Sequence, residues 1–458
     1  MPTTGAMLPS WLASIITWAV PDYHDKKPYD RTNAWILAAP LVLILLQIHL
    51  LIRYDPASTW LCRASLIPII TLLAFKSAFG LYYTIDQSGQ MHGRGQALNA
   101  TLGCAAVVMV IRSLENGLAF RRPQLKVGKT AQSKGATNGG MGKSTSSANS
   151  AADEMPLYFP GTRWPLELDL LLNVRAIGWQ HGIKDGAPAL PVPTYTWRER
   201  WHWIAQRMAD VPVYFLLYDA FCVLLDEKRF NVHVGNRIGG SIWDCTRGSF
   251  GAAGPYLICI AFASMFVSLQ CVVHAIMASL SVGLLGDLPS RWDPPITRVP
   301  WMSTSIAQFW SHRWHQMLRV TFMTVGYWPV RDFLRPIAGR RIAHIAAICG
   351  TFLASGIIHE VGRMAMVPGF AITSVTLFFA IQPLAVFGEQ MFERCTGRRV
   401  RGFWGWLWCV TWILGTAPLL IEGYNQAGFT AAKNQHVGVT RRPIMLMLDW
   451  WDRAFNGM

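Results

Sequence analysis

The sequence predicts an all-α, polytopic integral membrane protein with about eight transmembrane helices around a buried tunnel. Three observations predict it. The 458-residue chain is 52% hydrophobic and only 15% charged, against about 25% charged in soluble domains. Its apolar runs repeatedly approach or pass the ~18–20 residues that cross a hydrocarbon core. Its Lys and Arg residues gather between those runs, as they do in cytosolic loops under the positive-inside rule.

Eight spans are expected, at residues 34–52, 64–84, 97–118, 211–225, 256–285, 342–362, 370–390 and 404–424. Lys76 in the second span either snorkels or faces the bundle interior. The third carries Arg112 and Glu115 near its end, and the short fourth carries Asp219. Residues 9–20 hold two tryptophans with no basic residue before them. They lack the layout of a signal peptide and fit an interfacial helix or an extra span. No internal repeat stands out.

Residues 121–153 are a different material, rich in Gly, Ser, Thr, Ala and Lys and without an aromatic residue. Such a segment cannot bury enough apolar surface to offset its ordering entropy, so a disordered cytosolic loop is expected. The division is N-terminal transmembrane helices over 1–120, this loop over 121–155, a second membrane domain over 156–430 and a tail over 431–458. Residues 53–63, 121–210, 287–341 and 391–402 are then cytosolic. The termini fit this orientation less well, since Lys26, Lys27, Arg31, Arg441, Arg442 and Arg453 fall on the other side.

The net charge is +15. Its placement between spans makes the lipid bilayer the partner and disfavours nucleic acid. The nine cysteines form no C-x-x-C pair and lie mostly in or beside apolar runs. They read as small packing residues, with neither a disulfide framework nor a metal site suggested.

His359 is the residue that most directly suggests chemistry. It sits inside an apolar span, where an ionisable group marks a functional site or lines a polar cavity. Histidine titrates near neutrality, and burial favours the neutral imidazole that accepts a proton. The competing reading is a core histidine bonded to a backbone carbonyl, the reading favoured for His274 and His344.

Residues 309–316 read Phe-Trp-Ser-His-Arg-Trp-His-Gln. In a helix, His312, Gln316 and Arg319 share one face, Trp310 and Trp314 share another, and His315 pairs with Arg319. Tryptophans with basic residues also describe an interfacial anchor. His315 and Gln316 add donors and acceptors suited to polarising a carbonyl or holding a thioester. The surrounding arginines set topology, bind phosphates of a nucleotide-bearing donor, or both.

Three features remain. Arg175-Ala176-Ile177-Gly178-Trp179 follows a leucine-rich stretch and fits a surface helix ending at glycine. Trp292-Asp293-Pro294-Pro295 fits a rigid turn. Gln382-Pro383 precedes Glu389, and the proline is expected to kink its helix. No G-x-S-x-G, P-loop, H-E-x-x-H or G-x-G-x-x-G occurs in a suitable context.

In this order, R-x-I-G-W, W-x-P-P, F-W-x-x-x-W-H-Q, S-G-x-x-H-E and Q-P with a later glutamate resemble the fungal wax-synthase-like acyltransferases. These belong to the wider membrane-bound O-acyltransferase group. The matching residues are Arg175–Trp179, Trp292–Pro295, 309–316, 355–360 and 382–389, covering roughly 165–425. The family's Arg-Gly-Ile-Gly-Trp appears here with Ala176, a mild departure.

The resemblance implies acyl transfer from acyl-CoA to a hydroxyl, with His359 as the catalytic histidine and His315 as a second active-site residue. The substrate-binding candidates are Trp310, Trp314, Gln316, Arg313, Arg319, Glu360 and Glu389. Acyl-CoA, first acetyl-CoA, is the expected co-substrate, with no cofactor or metal. The acceptor is an apolar terpenoid- or meroterpenoid-type alcohol of secondary metabolism, and the location the endoplasmic reticulum membrane. Long-chain wax ester synthesis is the alternative. A proton-coupled transporter, or a receptor or scaffold, is the alternative from another class.

One geometric demand follows. His359 lies 17 residues into its expected span, roughly 25 Å at ~1.5 Å per residue. For His315 to reach it, either the 309–319 segment enters the bundle or the 342–362 helix tilts or starts outside the bilayer.

Overall fold

The computed structural model describes residues 9–22, 25–82, 96–126, 155–182, 195–226, 240–247, 250–293, 295–367, 372–429, 443–451 and 453–454. Most of the expected 121–155 loop and 431–458 tail, together with Pro294 and residues 370–371, lies outside them. The described residues are overwhelmingly helical, as predicted. A two-residue parallel pairing, Lys27–Pro28 with Leu81–Tyr82, is the exception among named strands.

Eight helical stretches are long and apolar enough to cross a membrane. Seven are Trp35–Arg53, Pro56–Phe79, Gln96–Gly117, Trp197–Asp226, Gly254–Leu284, Leu377–Thr396 and Gly402–Gln426. Each overlaps an expected span. Asp55 caps the second, accepting from the Ser58 backbone N–H at 2.8 Å with Pro56 in the first turn. Pro383 lies inside Leu377–Thr396, and that helix continues through it.

The eighth stretch corrects the sequence reading. Residues 287–341 were expected to lie between spans, on the cytosolic side, with a helix around 309–319. Instead a helical arm begins at Gln316 and leads into the long helix Trp328–Met366, with a break at Gly339. The arm folds back along the helix that carries His359. Gly326 and Gly350 meet so closely that a Cβ on either would lie 2.5 Å from the other's carbonyl oxygen. Tyr327 Oη and His344 Nδ1 are 2.8 Å apart across the same contact. Ten residues back from Gly326 is Gln316, and ten forward from Gly350 is Glu360. An antiparallel pairing of similar rise thus carries His315 to the level of His359.

The bend rests on Gly339, with φ 80° and ψ 169°, a conformation open essentially to glycine alone. Gly339→Ala is expected to cost ~1–3 kcal/mol through backbone strain, although no atom lies within 4 Å of the added methyl. Gly388→Ala also has open space, in mid-helix, and is expected to be neutral or stabilising. Thermal unfolding in detergent should shift down for the first and not for the second.

Candidate functional site

Two of the sequence motifs meet in a buried polar network. Arg291 forms ion pairs with Asp287, at 2.9 Å, and with Asp169. Trp179 Nε1 donates to Asp169 at 2.7 Å, and Trp292 Nε1 to Asp287 at 2.9 Å. Arg175 donates to the Arg291 carbonyl at 3.3 Å. Burial lowers the Arg291 pKa, but the two carboxylates outweigh it and hold that guanidinium above its usual value. Burial pulls Arg175 down to about 10, helped by the Arg298 and Arg291 cations, so it stays charged at neutral pH. Residues 175–179 are therefore not a surface helix. They form a turn with Ala176 at φ 48° and Gly178 at φ 92°, and Trp179 is wholly buried.

From this anchor the chain runs as a strap into residues 309–316. Arg298 N–H donates to the Arg313 carbonyl at 2.8 Å, and Gln316 N–H to the Ile296 carbonyl at 2.7 Å. Arg313 Nη1 donates to the Val299 and Arg298 carbonyls at 3.1 and 3.3 Å. The expected α-helix is absent. Residues Phe309–Arg313 form a π-turn closed by Trp314 N–H on the Phe309 carbonyl at 2.8 Å. His315 then takes φ 36°, and Gln316–Leu318 is a 3₁₀ turn. The expected i, i+4 pairing of His315 with Arg319 does not arise, because the helix it needs is broken between them. Arg319 opens the next helical turn, partly buried.

Two polar side chains from the Leu377–Thr396 helix hold this segment. Gln382 is fully buried and uses its whole hydrogen-bonding capacity. Its oxygen accepts from Trp310 Nε1 at 3.3 Å and Trp412 Nε1 at 3.1 Å. Its nitrogen donates to the Phe378 carbonyl at 2.9 Å and Thr416 Oγ1 at 3.3 Å. Glu389 accepts from the backbone N–H of Ile306 at 2.5 Å and Ala307 at 3.0 Å, and from Trp408 Nε1 at 3.0 Å. The carboxylate thus caps the helical turn Ile306–Gln308 that leads into the π-turn.

Aromatic rings enclose the two histidines. His315 stacks nearly parallel on Phe266, 5.5 Å between ring centres. Trp314 stacks on Phe309 at 5.4 Å, and Trp310 meets Phe352, Phe378 and Phe379 at 5.6–6.2 Å. His359 lies against Phe379 at 4.5 Å. The Gly326–Gly350 pairing sets the two histidines at one level of the bundle.

His359 Nδ1 is 2.8 Å from the Ser355 carbonyl. A carbonyl only accepts, so Nδ1 carries the hydrogen and the neutral ring presents a bare Nε2. Tyr424 Oη donates to the His359 carbonyl at 3.0 Å. Glu360 turns away into an ion pair with Arg363 at 3.0 Å, one turn further along.

The structure thus gathers His315, His359, Trp310, Trp314 and Gln316, and leaves Arg313, Glu360 and Glu389 engaged with protein partners. Reading the sequence missed Gln382 as a hub, Tyr424, Phe266, Phe379 and the Asp169–Arg291–Asp287 network. The Q-P and W-D-P-P motifs were the available signals for two of these.

Fold and site define a multi-pass membrane protein with a histidine-centred polar site inside its helix bundle. Residues 292–381 match the Membrane bound O-acyl transferase family. A probable long-chain-alcohol O-fatty-acyltransferase 7 of Arabidopsis thaliana is 23% identical over 168 residues, 36% of this chain and 48% of the relative. A probable long-chain-alcohol O-fatty-acyltransferase 2 of the same plant is 31% identical over 100 residues, 22% of this chain and 29% of the relative. Acetyltransferase TRI7 of Fusarium sporotrichioides is 28% identical over 164 residues, 32% of this chain and 36% of the relative. The chain thus spans less than half the length of these curated relatives. The resemblance to wax-synthase-like membrane-bound O-acyltransferases, read from the motifs, is upheld.

Glu389→Ala strips three donors of their acceptor. It is expected to lower stability by at least about 2 kcal/mol, since bonds to charged groups contribute ~1.5–3. The KM of the folded fraction should stay unchanged. A raised KM with an unshifted melting temperature would mean that Glu389 contacts substrate after all.

Proposed function

We propose that this protein is a membrane-bound O-acyltransferase that moves an acyl group from acyl-CoA to an alcohol. The observation that carries the reading is His359 in an aromatic-lined site at the level of His315: its Nδ1–H on the Ser355 carbonyl, a bond a purely structural histidine also makes, leaves Nε2 as a proton acceptor. His359 takes the proton of the acceptor hydroxyl as its oxygen attacks the thioester carbonyl. The carbon–sulfur bond then breaks, and the CoA sulfur leaves with the proton returned from the imidazolium. His315, stacked on Phe266 and turned by its left-handed backbone, is suited to the oxyanion that develops on the thioester carbonyl. A non-glycine residue held at positive φ is the kind of strain that clusters at functional sites.

The acyl group we propose is acetyl, and the acceptor an apolar terpenoid- or meroterpenoid-type alcohol of secondary metabolism, acted on in the endoplasmic reticulum membrane. Bulky rings close to His359, namely Phe379 and beyond it Trp310 and Phe352, favour a short acyl group and a flat apolar acceptor. The similarity to a relative named as an acetyltransferase supports the same choice. The relatives named for long-chain alcohols support a second reading, wax ester synthesis. A transporter has less in its favour, because His359 is committed to a helix carbonyl rather than to a chain of ionisable groups.

Purified protein in detergent should release CoA from acetyl-CoA only when an alcohol is supplied, and more slowly from palmitoyl-CoA. His359→Ala is expected to lower that rate ~10²–10⁴-fold with an unchanged melting temperature. CoA release by the variant at the wild-type rate would end the assignment of His359 as the base. Faster release from palmitoyl-CoA would favour the wax ester reading.

A further inference from the structure

Gln316 is 7% exposed and its amide is locked in one orientation. Nε2 donates to the Trp314 carbonyl at 2.7 Å and to the Trp310 carbonyl at 3.2 Å. Rotating the amide by half a turn would set Oε1 against those two carbonyl oxygens, so nitrogen and oxygen cannot trade places. Both side-chain N–H groups are thereby used. The backbone N–H is used as well, on the Ile296 carbonyl. What remains is Oε1, a buried acceptor with no hydrogen-bond partner among the described residues. An unpaired buried acceptor is costly, and native structures keep few of them. This one follows His315 directly and lies at the level of His359 by the Gly326–Gly350 pairing.

The missing donor can be identified by elimination within the proposed reaction, on which this inference rests. The acceptor alcohol brings one O–H, and its proton goes to His359. The thioester carbonyl and sulfur carry no hydrogen to give. The nearest N–H to the reacting centre is the amide of the cysteamine arm, two carbons from the thioester sulfur.

We propose that Gln316 Oε1 accepts a hydrogen bond from that amide N–H, and so fixes the thioester along the His315–His359 line. The π-turn and the left-handed residue then have a purpose beyond placing His315. They supply the two carbonyls, of Trp310 and Trp314, that hold the Gln316 oxygen free for the donor substrate. Donors that carry a cysteamine amide are selected over simple thioesters.

The test compares acetyl-CoA with its analogue N-methylated at that amide, using the full-length protein in detergent with one alcohol. The readout is the ratio of kcat/KM for the two donors, which does not depend on how much of a variant folds. Wild type is expected to favour acetyl-CoA by about tenfold or more, the discrimination of one well-placed hydrogen bond. Gln316→Met removes the acceptor, and its ratio should fall toward one.

A wild-type ratio near one overturns the proposal. So does a Gln316→Met ratio equal to that of wild type, which assigns the preference to the bulk of the methyl group. Loss of rate by Gln316→Met that is equal for both donors makes Gln316 a strut of the strap and nothing more. Failure of wild type to use acetyl-CoA or any other acyl-CoA is a different result, and removes the acyltransferase reading itself.

Discussion

Backbone N–H and C=O groups cannot be left unpaired in a hydrocarbon environment, and irregular backbone survives there only when protein surrounds and satisfies it. The segment around His315 is irregular throughout: a π-turn, an extended tryptophan, a left-handed histidine and a 3₁₀ turn. The rest of the site answers that constraint. Glu389 takes the amides at the start of the segment, Gln316 the carbonyls of Trp310 and Trp314, and Gln382 ties the Trp310 ring to the neighbouring helices. Outside it, the Asp169–Arg291–Asp287 network fixes the strap's origin. Removing one partner from such a buried network typically costs ~3–5 kcal/mol, so the network holds the strap's origin rigidly.

The same constraint explains why the site can be precise in a flexible solvent. His359 is placed by a regular helix, with its ring oriented by the Ser355 carbonyl one turn earlier. His315 is placed by an irregular segment that only side chains can hold. The back-folded arm joins the two, because the Gly326–Gly350 contact lets two helical segments approach until their backbones touch. In the proposed reaction His359, on a regular helix, is the acid–base group and His315, on the clamped turn, the polarising group, with aromatic rings against both. That division suits a reaction needing proton transfer at one atom and charge stabilisation at another.

The eight membrane-crossing stretches were legible in the sequence because apolar length alone reports them. His359 was legible because an ionisable residue inside such a run is conspicuous. The arm between Gln316 and Gly339 was not, since Arg319, Arg331 and Arg335 lower its apolar character and make it look like a cytosolic connection between spans. It is helical because it packs on a neighbour, which a single stretch of sequence does not report. Glu389 and Gln382 were visible as polar residues on an apolar helix, but not what they bond. Capping a turn 83 residues away leaves no local pattern. Likewise, the sequence suggests a regular helix for 309–316, and the π-turn prevails because the strap and Gln316 bind its ends.

The central claim is that His315 and His359 work on one bound thioester and one hydroxyl as a single unit. A double-mutant cycle on kcat measures this most directly, with His315→Ala, His359→Ala and the pair assayed by alcohol-dependent CoA release. Residues that act as a unit are strongly non-additive. The account predicts that the double variant is scarcely slower than His359→Ala alone. Losses that multiply, as they do for independent sites, would contradict it.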